Sequence, residues 1–194
     1  YSSHLMLPSL YCKLKSANLD KKLPKELNKY LNEIYELNYN RNSVLLSELK
    51  QISKILDTNN IEYVFLKGSA NLALGIYKNI GERMIGDIDI LVENKNLEKT
   101  YKIMEKAGYI PKEKGYFRNI YKHLPRQINK NKLFAIEIHN EKLIKKRVEN
   151  FNGKELLCNR LKINGVYVPN LKNQFIHNIY NFQINDYGNS KLSF

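Results

Sequence analysis

Two aspartates alternate with isoleucines in an apolar run near the middle of the chain. Residues 85–92 read IGDIDILV, so Asp87 and Asp89 fall on one face of an extended strand and Ile88 and Ile90 on the other. Their Cα atoms would lie roughly 6.6 Å apart, since a strand rises about 3.3 Å per residue. Two such carboxylates repel each other unless a cation lies between them, and Mg²⁺ prefers oxygen ligands of this kind. The pattern predicts a magnesium site, although a strand with a simply hydrated outer face would show the same motif.

A turn that could bind phosphate precedes this strand in the sequence. Residues 61–66, IEYVFL, have the composition of a buried strand, and Lys67, Gly68 and Ser69 follow directly. Residues 70–74 read as the opening of a short helix, for which we expect Ser69 to be the N-cap. A glycine at the start of a helix lets the backbone approach an anion, whose charge the free N–H groups favour. The spacing is not that of a Walker A loop, and a Gly-Ser pair alone is most often only a cap.

Together the two motifs resemble the nucleotidyltransferase superfamily of DNA polymerase β. Its signature is Gly-Ser after a strand, then D-x-D on the next strand, then a third acidic residue on a later one. Here 87 − 69 − 1 = 17 residues separate Ser69 from Asp87, which is long for the general pattern. The longer form, LKGSA followed by an arginine at position 83 and GDIDILV, is similar to a bacterial family of uncharacterised nucleotidyltransferases. The third acid is expected at Glu137, which is polar between two isoleucines in residues 133–139, LFAIEIH.

The resemblance implies a Mg²⁺-dependent transfer of a nucleoside monophosphate from a nucleoside triphosphate to a hydroxyl group. Two Mg²⁺ ions would be shared by Asp87 and Asp89, while Glu137 would complete the acceptor-side metal and draw the proton from the hydroxyl. The nucleotide-binding residues would be Lys67, Gly68, Ser69 and Arg83, and the metal-binding and catalytic residues would be Asp87, Asp89 and Glu137. Lys67 and Arg83 could equally be solvated residues at strand ends. His139 shares the face of Glu137 and is more typical of a hydrogen-bonded neighbour than of a metal ligand.

The elements around these motifs predict a mixed α/β (α+β) fold, in which a mixed sheet is flanked by helices. The expected architecture is a polymerase β-like nucleotidyltransferase core, residues 59–194, that ends in a hairpin and a helix, with an N-terminal helical segment at residues 1–58. Apolar residues recur at helical spacing from Pro24 onward. They are Leu27, Leu31, Ile34, Leu37, Leu45, Leu49, Ile52 and Leu56.

Shorter patterns fill in the remaining elements. Pro8 interrupts an apolar stretch, so we expect a turn or half-helix there. Helices are predicted over residues 96–107 and 140–148, a turn over 111–118, a strand pairing that turns at 129–131, and a hairpin around Asn164-Gly165. A last helix begins after Asn170, with Phe175, Ile179 and Phe182 on one side and His177 on another. Tyr30, Tyr35 and Tyr39 could form a base-stacking platform, but helical spacing favours packing.

The charge balance leaves the partner open. Thirty-two basic and 19 acidic residues give a formal net charge of +13, which favours a polyanionic partner such as RNA. The lysines are nevertheless dispersed, and abundant Asn, Ile, Lys and Tyr together indicate an AT-rich coding sequence, so nucleic acid is only weakly supported as a partner. The acceptor could be an antibiotic-like small molecule, a glycan, a protein side chain or an RNA end.

Other features bear on the compartment. The two cysteines show no metal-ligand spacing and suit a reducing cytoplasm, and no apolar run reaches the roughly 20 residues needed to span a bilayer. The chain begins with Tyr1 and not with methionine, so we expect native termini outside it. Two rival functions are a silent module that binds nucleotide or RNA, and a toxin-like component of a bacterial defence pair. The intact acidic set argues against the silent module.

Overall fold

The protein, here a computed structural model, consists of a mixed sheet, a separate hairpin and flanking helices. The structure describes residues 4–111, 123–140 and 152–185. The strands are β1 (Tyr63–Leu66), β2 (Asp87–Val92), β3 (Ile110–Pro111), β4 (Gln127–Ile128), β5 (Ala135–His139), β6 (Arg160–Ile163) and β7 (Val166–Pro169). The helices are α1 (Leu7–Ser16), α2 (Lys25–Thr58), α3 (Lys67–Ala73), α4 (Leu97–Lys106), α5 (Gly153–Cys158) and α6 (Leu171–Tyr180), with a π-helical turn at Asn181–Asn185.

The sheet has five strands in the order β1-β2-β5-β4-β3. β2 and β5 run parallel, and every other neighbouring pair is antiparallel, so the predicted mixed sheet is confirmed. In the register of this sheet Asp89 lies beside Leu66 on one side and beside Glu137 on the other. The two central strands therefore carry the acidic residues that the sequence motifs singled out.

One apolar core joins the long helix to the sheet. Leu45, Leu49, Ile52 and Leu56 of α2 are almost fully buried and belong to the same cluster as the inward side chains of β1, β2 and β5. The first half of the predicted stripe is only partly confirmed, because Leu31 is 2% exposed but Leu37 is 67% and Leu27 43% exposed. The reason is that the sheet lies only against the second half of α2, while α1 covers part of the first. The division at residue 58 stays a prediction.

Several predicted local elements are confirmed. α4 buries Leu97, Tyr101 and Met104, as its periodicity indicates. β6 and β7 form the hairpin around Asn164 and Gly165, which both have positive φ angles, as this type of tight turn requires. β4 and β5 form the expected antiparallel pairing through Gln127 and Ile136. The helix predicted over 140–148 and the turn predicted over 111–118 lie almost wholly outside the described residues.

The two terminal helices differ from the expectations. α1 continues to Ser16 instead of breaking at Pro8, because a proline in the first turn removes an N–H group that has no helical partner anyway. α6 buries a polar face, and Phe175, which we expected to share an apolar side, is 60% exposed. The buried face of α6 consists of Asn173, Gln174, His177 and Asn178.

The aromatic residues of α2 have different surroundings. Tyr35 packs between the rings of Tyr11 and Tyr39, with ring centroids 5.7 and 6.4 Å apart. Tyr30 and Tyr39 are 43% and 42% exposed, so the predicted packing holds for Tyr35 and only partly for the other two. None of the described helices combines the length and the apolar character needed to cross a lipid bilayer.

Candidate active site

The three acidic residues lie on one face of the central pair of strands. Parallel pairing places Asp89 of β2 beside Glu137 of β5, and Asp87 precedes Asp89 by two residues on the same face. Asp89 is 2% exposed, whereas Asp87 and Glu137 are partly exposed toward solvent. The three carboxylates therefore share one face of the sheet, with Asp89 at its buried centre, and their roles as metal ligands stay predictions.

Asp89 is held by a lysine and a histidine. The ammonium Nζ of Lys67 forms an ion pair with Oδ1 of Asp89, and Nε2 of His139 lies 2.6 Å from the same oxygen. Burial on its own would raise the pKa of this carboxyl group. The charge of Lys67 and the hydrogen bond with His139 outweigh burial and hold the pKa of Asp89 well below its usual range. Asp89 is thus a buried carboxyl group whose ionised form is favoured by its neighbours.

His139 also approaches Glu137, which gives three ligand atoms in one small volume. Its Nε2 lies 3.8 Å from Oε2 of Glu137, and one ligand atom from each of Asp89, Glu137 and His139 lies within 4.8 Å of the others. Burial lowers the pKa of His139, which favours a neutral imidazole whose Nε2–H group donates to Asp89. The sequence indicated His139 as a neighbour of Glu137, but the pairing with Asp89 needed the strand register.

Asp87 lies at the solvent end of the acidic face. A guanidinium nitrogen of Arg126 is 3.6 Å from its Oδ2. Burial, followed by the charges of Asp89 and Glu137, raises the pKa of Asp87 to about 6. Lys67 and Arg126 lower this pKa but do not offset burial and the two neighbouring carboxylates. A divalent cation at this position would favour the ionised form of Asp87.

Two arginines lie near Asp87 that the sequence patterns did not indicate as site residues. Arg126 precedes β4 and carried no motif of its own. Arg41 of α2 donates a hydrogen bond to the carbonyl of Ile85, lies 4.5 Å from the ring centroid of Phe134, and is attracted by Asp87. A signal for Arg41 did exist, because it falls one turn before Leu45 on the otherwise apolar face of the helix.

α2 also fixes the segment that leads into β2. The side-chain amide of Asn38 donates to the carbonyl of Gly81 at 2.7 Å. The amide of Asn42 donates to the carbonyls of Ile80 and Arg83 at 2.6 and 2.8 Å. Arg83, predicted to neutralise triphosphate charge, is therefore anchored through its backbone. Its guanidinium group is not among the groups that contact the three carboxylates in the described part of the chain.

The turn after β1 differs from the expectation in which residue begins the helix. α3 starts at Lys67, whose φ of 52° is in the left-handed region, and Leu66 is the N-cap residue. Ser69 is fully buried, and its hydroxyl donates to the carbonyl of Leu66 at 2.8 Å. The prediction that Ser69 caps the helix is wrong, because the left-handed turn at Lys67 starts the helix three residues earlier. Ser69 instead stabilises the turn from within.

Gly68 is required here for close packing. A Cβ atom at this position would lie 3.2 Å from Cγ1 and 3.3 Å from Cγ2 of Ile85. The segment before β2 therefore packs directly on the backbone at the start of α3. This contact brings the two sequence motifs, Gly-Ser and D-x-D, into one unit.

α6 completes the site from behind through an amide network. The Nε2 of Gln174 donates to the carbonyl of Lys67 at 3.0 Å and to Oδ1 of Asn71 at 2.6 Å. Asn178 donates to the same oxygen of Asn71 at 3.3 Å. These bonds hold the left-handed backbone of Lys67 in place. Gln174 and Asn178 on the buried polar face of α6 thus have their partners at the start of α3.

Comparison with known proteins finds a family that spans nearly the whole chain. The family model described as "Uncharacterised nucleotidyltransferase" matches residues 2–190. Among solved structures, the chain is similar to the crystal structure of a protein from Thermotoga maritima that is described as a candidate nucleotidyltransferase. The two share 16% identity with a TM-score of 0.55, over 74% of this chain and 88% of the other, so the likeness supports the fold alone. No curated protein matches the chain.

Proposed function

Because the chain belongs to the family of uncharacterised nucleotidyltransferases, we propose that it transfers a nucleoside monophosphate from a nucleoside triphosphate to a hydroxyl group of an acceptor. The observation that supports this proposal most directly is the cluster of Asp87, Asp89 and Glu137 on one face of two parallel strands. Such a cluster disfavours the ionised form of Asp87 unless a cation is present, since burial and then the charges of Asp89 and Glu137 raise the pKa of Asp87. As part of the proposal, the chain is a member of the DNA polymerase β-like superfamily.

The donor set fits a divalent cation. Asp87 and Asp89 would hold two Mg²⁺ ions jointly, and Glu137 would add an oxygen to one of them. Mg²⁺ suits carboxylate oxygens with phosphate and water as the remaining ligands. When bound, the metal would stabilise the charge that develops on the attacking and leaving oxygens. His139 would orient Asp89 through its 2.6 Å contact, as histidines beside metal-binding carboxylates do.

The remaining roles belong to the groups around the cluster. Glu137 is partly exposed, so it can reach an incoming hydroxyl group and accept its proton. The N–H groups of the first turn of α3, where Gly68 is partly exposed, would bind the β- and γ-phosphates, because helix N-termini favour anions. The buried Ser69 would support this turn through its hydrogen bond to the carbonyl of Leu66. Lys67 and Arg83 would supply positive charge to the triphosphate. The acceptor is a small molecule, a glycan, a protein or an RNA.

Labelled nucleotides test the proposal directly. Each of the four nucleoside triphosphates, labelled at the α-phosphate, is incubated with the protein, Mg²⁺ and a cell extract that is then fractionated. We expect label from one nucleotide to enter a defined fraction with wild-type protein and not with Asp89→Asn. Nucleotide binding without any transfer, measured by thermal shift and unaffected by Asp89→Asn, would contradict the proposal and favour a silent binding module.

A further inference from the structure

The ammonium group of Lys67 lies where a cation would be expected. It pairs with Oδ1 of Asp89, the most buried of the three carboxylates. We propose that Lys67 occupies a cation position of the metal site, so that a divalent cation binds Oδ1 of Asp89 only by displacing the ammonium group. The inference rests on the proposed function, because it concerns the same carboxylates.

At Oδ1 of Asp89 the ammonium group and a metal ion exclude each other. The Asp89 side chain is 3% exposed, and its Oδ1 accepts from both Lys67 and His139. A carboxylate oxygen offers two lone pairs, so these two donors use the capacity of Oδ1. A metal ion that binds this oxygen must therefore replace one of the donors.

Lys67 is the donor that can leave. The His139 side chain is 1% exposed and lies in the register of β5, whereas the Lys67 side chain is 26% exposed at the start of a helix. A lysine carries its charge on a flexible four-carbon stem and regains hydration when it leaves a partner. Imidazole has no comparable freedom within a strand. Displacement of Lys67 also keeps the hydrogen bond between His139 and Asp89.

The backbone determines where the displaced ammonium group goes. Gln174 binds the carbonyl of Lys67 at 3.0 Å, so the Cα atom stays at the first turn of α3 while the side chain moves. This turn is the proposed phosphate end of the site. The displaced ammonium group therefore moves from the carboxylate toward this turn, where it would meet the phosphates of a bound triphosphate. In the free protein Lys67 compensates the charge of Asp89 until the metal binds.

Binding of Mn²⁺ to the protein without nucleotide tests the inference by calorimetry. Lys67→Met removes the charge and keeps the length of the side chain, and we expect it to bind Mn²⁺ about tenfold or more tightly than wild type, because a competing charge has been removed. Lys29→Met is the matched control, since Lys29 pairs with Glu33 on the exposed surface of α2, and its Mn²⁺ affinity should equal that of wild type. An unchanged or weaker affinity of Lys67→Met overturns the inference.

Acetylation of the wild-type protein tests whether the metal moves the ammonium group of Lys67. The Mn²⁺ affinity of Lys67→Met reports only on the loss of a positive charge. Lys67 should react several-fold faster with an amine-specific acetylating reagent when Mn²⁺ is saturating, while Lys29 reacts at the same rate, as followed by mass spectrometry. A rate at Lys67 that stays the same or falls overturns displacement, and this measurement still applies if Lys67→Met fails to fold. If wild type and both variants bind no metal with or without nucleoside triphosphate, the proposed function itself fails. If wild type binds the metal but the acetylation rate of Lys67 does not rise, only the inference about Lys67 is refuted.

Discussion

Nε2 of His139 lies 2.6 Å from Oδ1 of Asp89, although the two residues are 50 positions apart in the chain. Both side chains are almost fully buried, so the contact is shielded from water. Hydrogen bonds to a charged group in such surroundings contribute about 1.5–3 kcal/mol. The contact therefore stabilises the fold and at the same time orients the central carboxylate of the site.

His139→Ala should lower the free energy of unfolding by about 1.5–3 kcal/mol, because Asp89 then keeps Lys67 as its remaining partner of the two. Urea denaturation measures the loss. His123→Ala is the matched control, since the His123 side chain is 38% exposed, and it should stay within about 0.5 kcal/mol of wild type. If both variants lose the same free energy of unfolding, the contact between His139 and Asp89 contributes no more to stability than the contacts of His123.

Asp87→Asn should abolish the stabilisation that nucleoside triphosphate and Mg²⁺ together give to the protein. The substitution keeps the shape of the side chain and removes one of the charges that would hold the metal. Metal and triphosphate should each tighten the other in wild type, as linkage requires. Thermal shift with each nucleotide, with and without Mg²⁺, measures both effects. A nucleotide-dependent shift that needs no metal and survives in Asp87→Asn would contradict the catalytic assignment.

The stability of the metal-free protein should depend on pH through Asp87. Its pKa is raised to about 6 from an ordinary value of 3.8, so the folded state holds the proton more tightly than the unfolded state. The stabilisation is fully present below about pH 4 and is lost as the pH rises through about 6. Relative to Asp87→Asn, wild type should therefore gain melting temperature as the pH falls across this range. A constant difference between the two proteins would show that Asp87 titrates normally.

Asn42→Ala should destabilise the protein by about 1–3 kcal/mol, because it leaves the carbonyls of Ile80 and Arg83 without their side-chain donor. Transfer activity should fall as well, since these carbonyls belong to the segment that leads into β2. Asn40→Ala is the control on the same helix, because Asn40 is exposed. Urea denaturation and the labelled-nucleotide assay provide the two measurements. Comparable effects of both substitutions would mean that α2 does not position this segment.

The elements that the sequence predicted well have local causes. The hairpin at Asn164 and Gly165 follows from two residues that tolerate positive φ angles, and α4 follows from its own periodicity. The alternation of Asp87 and Asp89 with isoleucines placed both acids on one face before any register was known. Glu137 was found in the same way, as a polar residue between isoleucines in a second strand.

The features that escaped prediction depend on distant contacts. Nothing near Lys67 in the sequence indicates its left-handed backbone, which Gln174 holds from 107 positions away. The expected cap at Ser69 failed for that reason. Arg41 and Arg126 lie near Asp87 only because α2 and β4 pack around β2 and β5, and α6 buries amides because its partners are amides and carbonyls. A single sequence shows which residues are present but not which of them contact each other in the fold.

The hydrogen bond between Gln174 and the carbonyl of Lys67 cannot form during protein synthesis until residue 174 has been made. The site is therefore completed late in synthesis. At about 5–20 residues per second, the 107 positions between the two residues correspond to roughly 5–20 s of translation. The start of α3 exists throughout this interval and both aspartates exist for most of it, but α6 has not yet been made to support them. The residues of the proposed nucleotide-binding turn are therefore made early, whereas α6, which holds this turn in place, is made late. We expect the nascent chain to catalyse the proposed reaction only after α6 has been made.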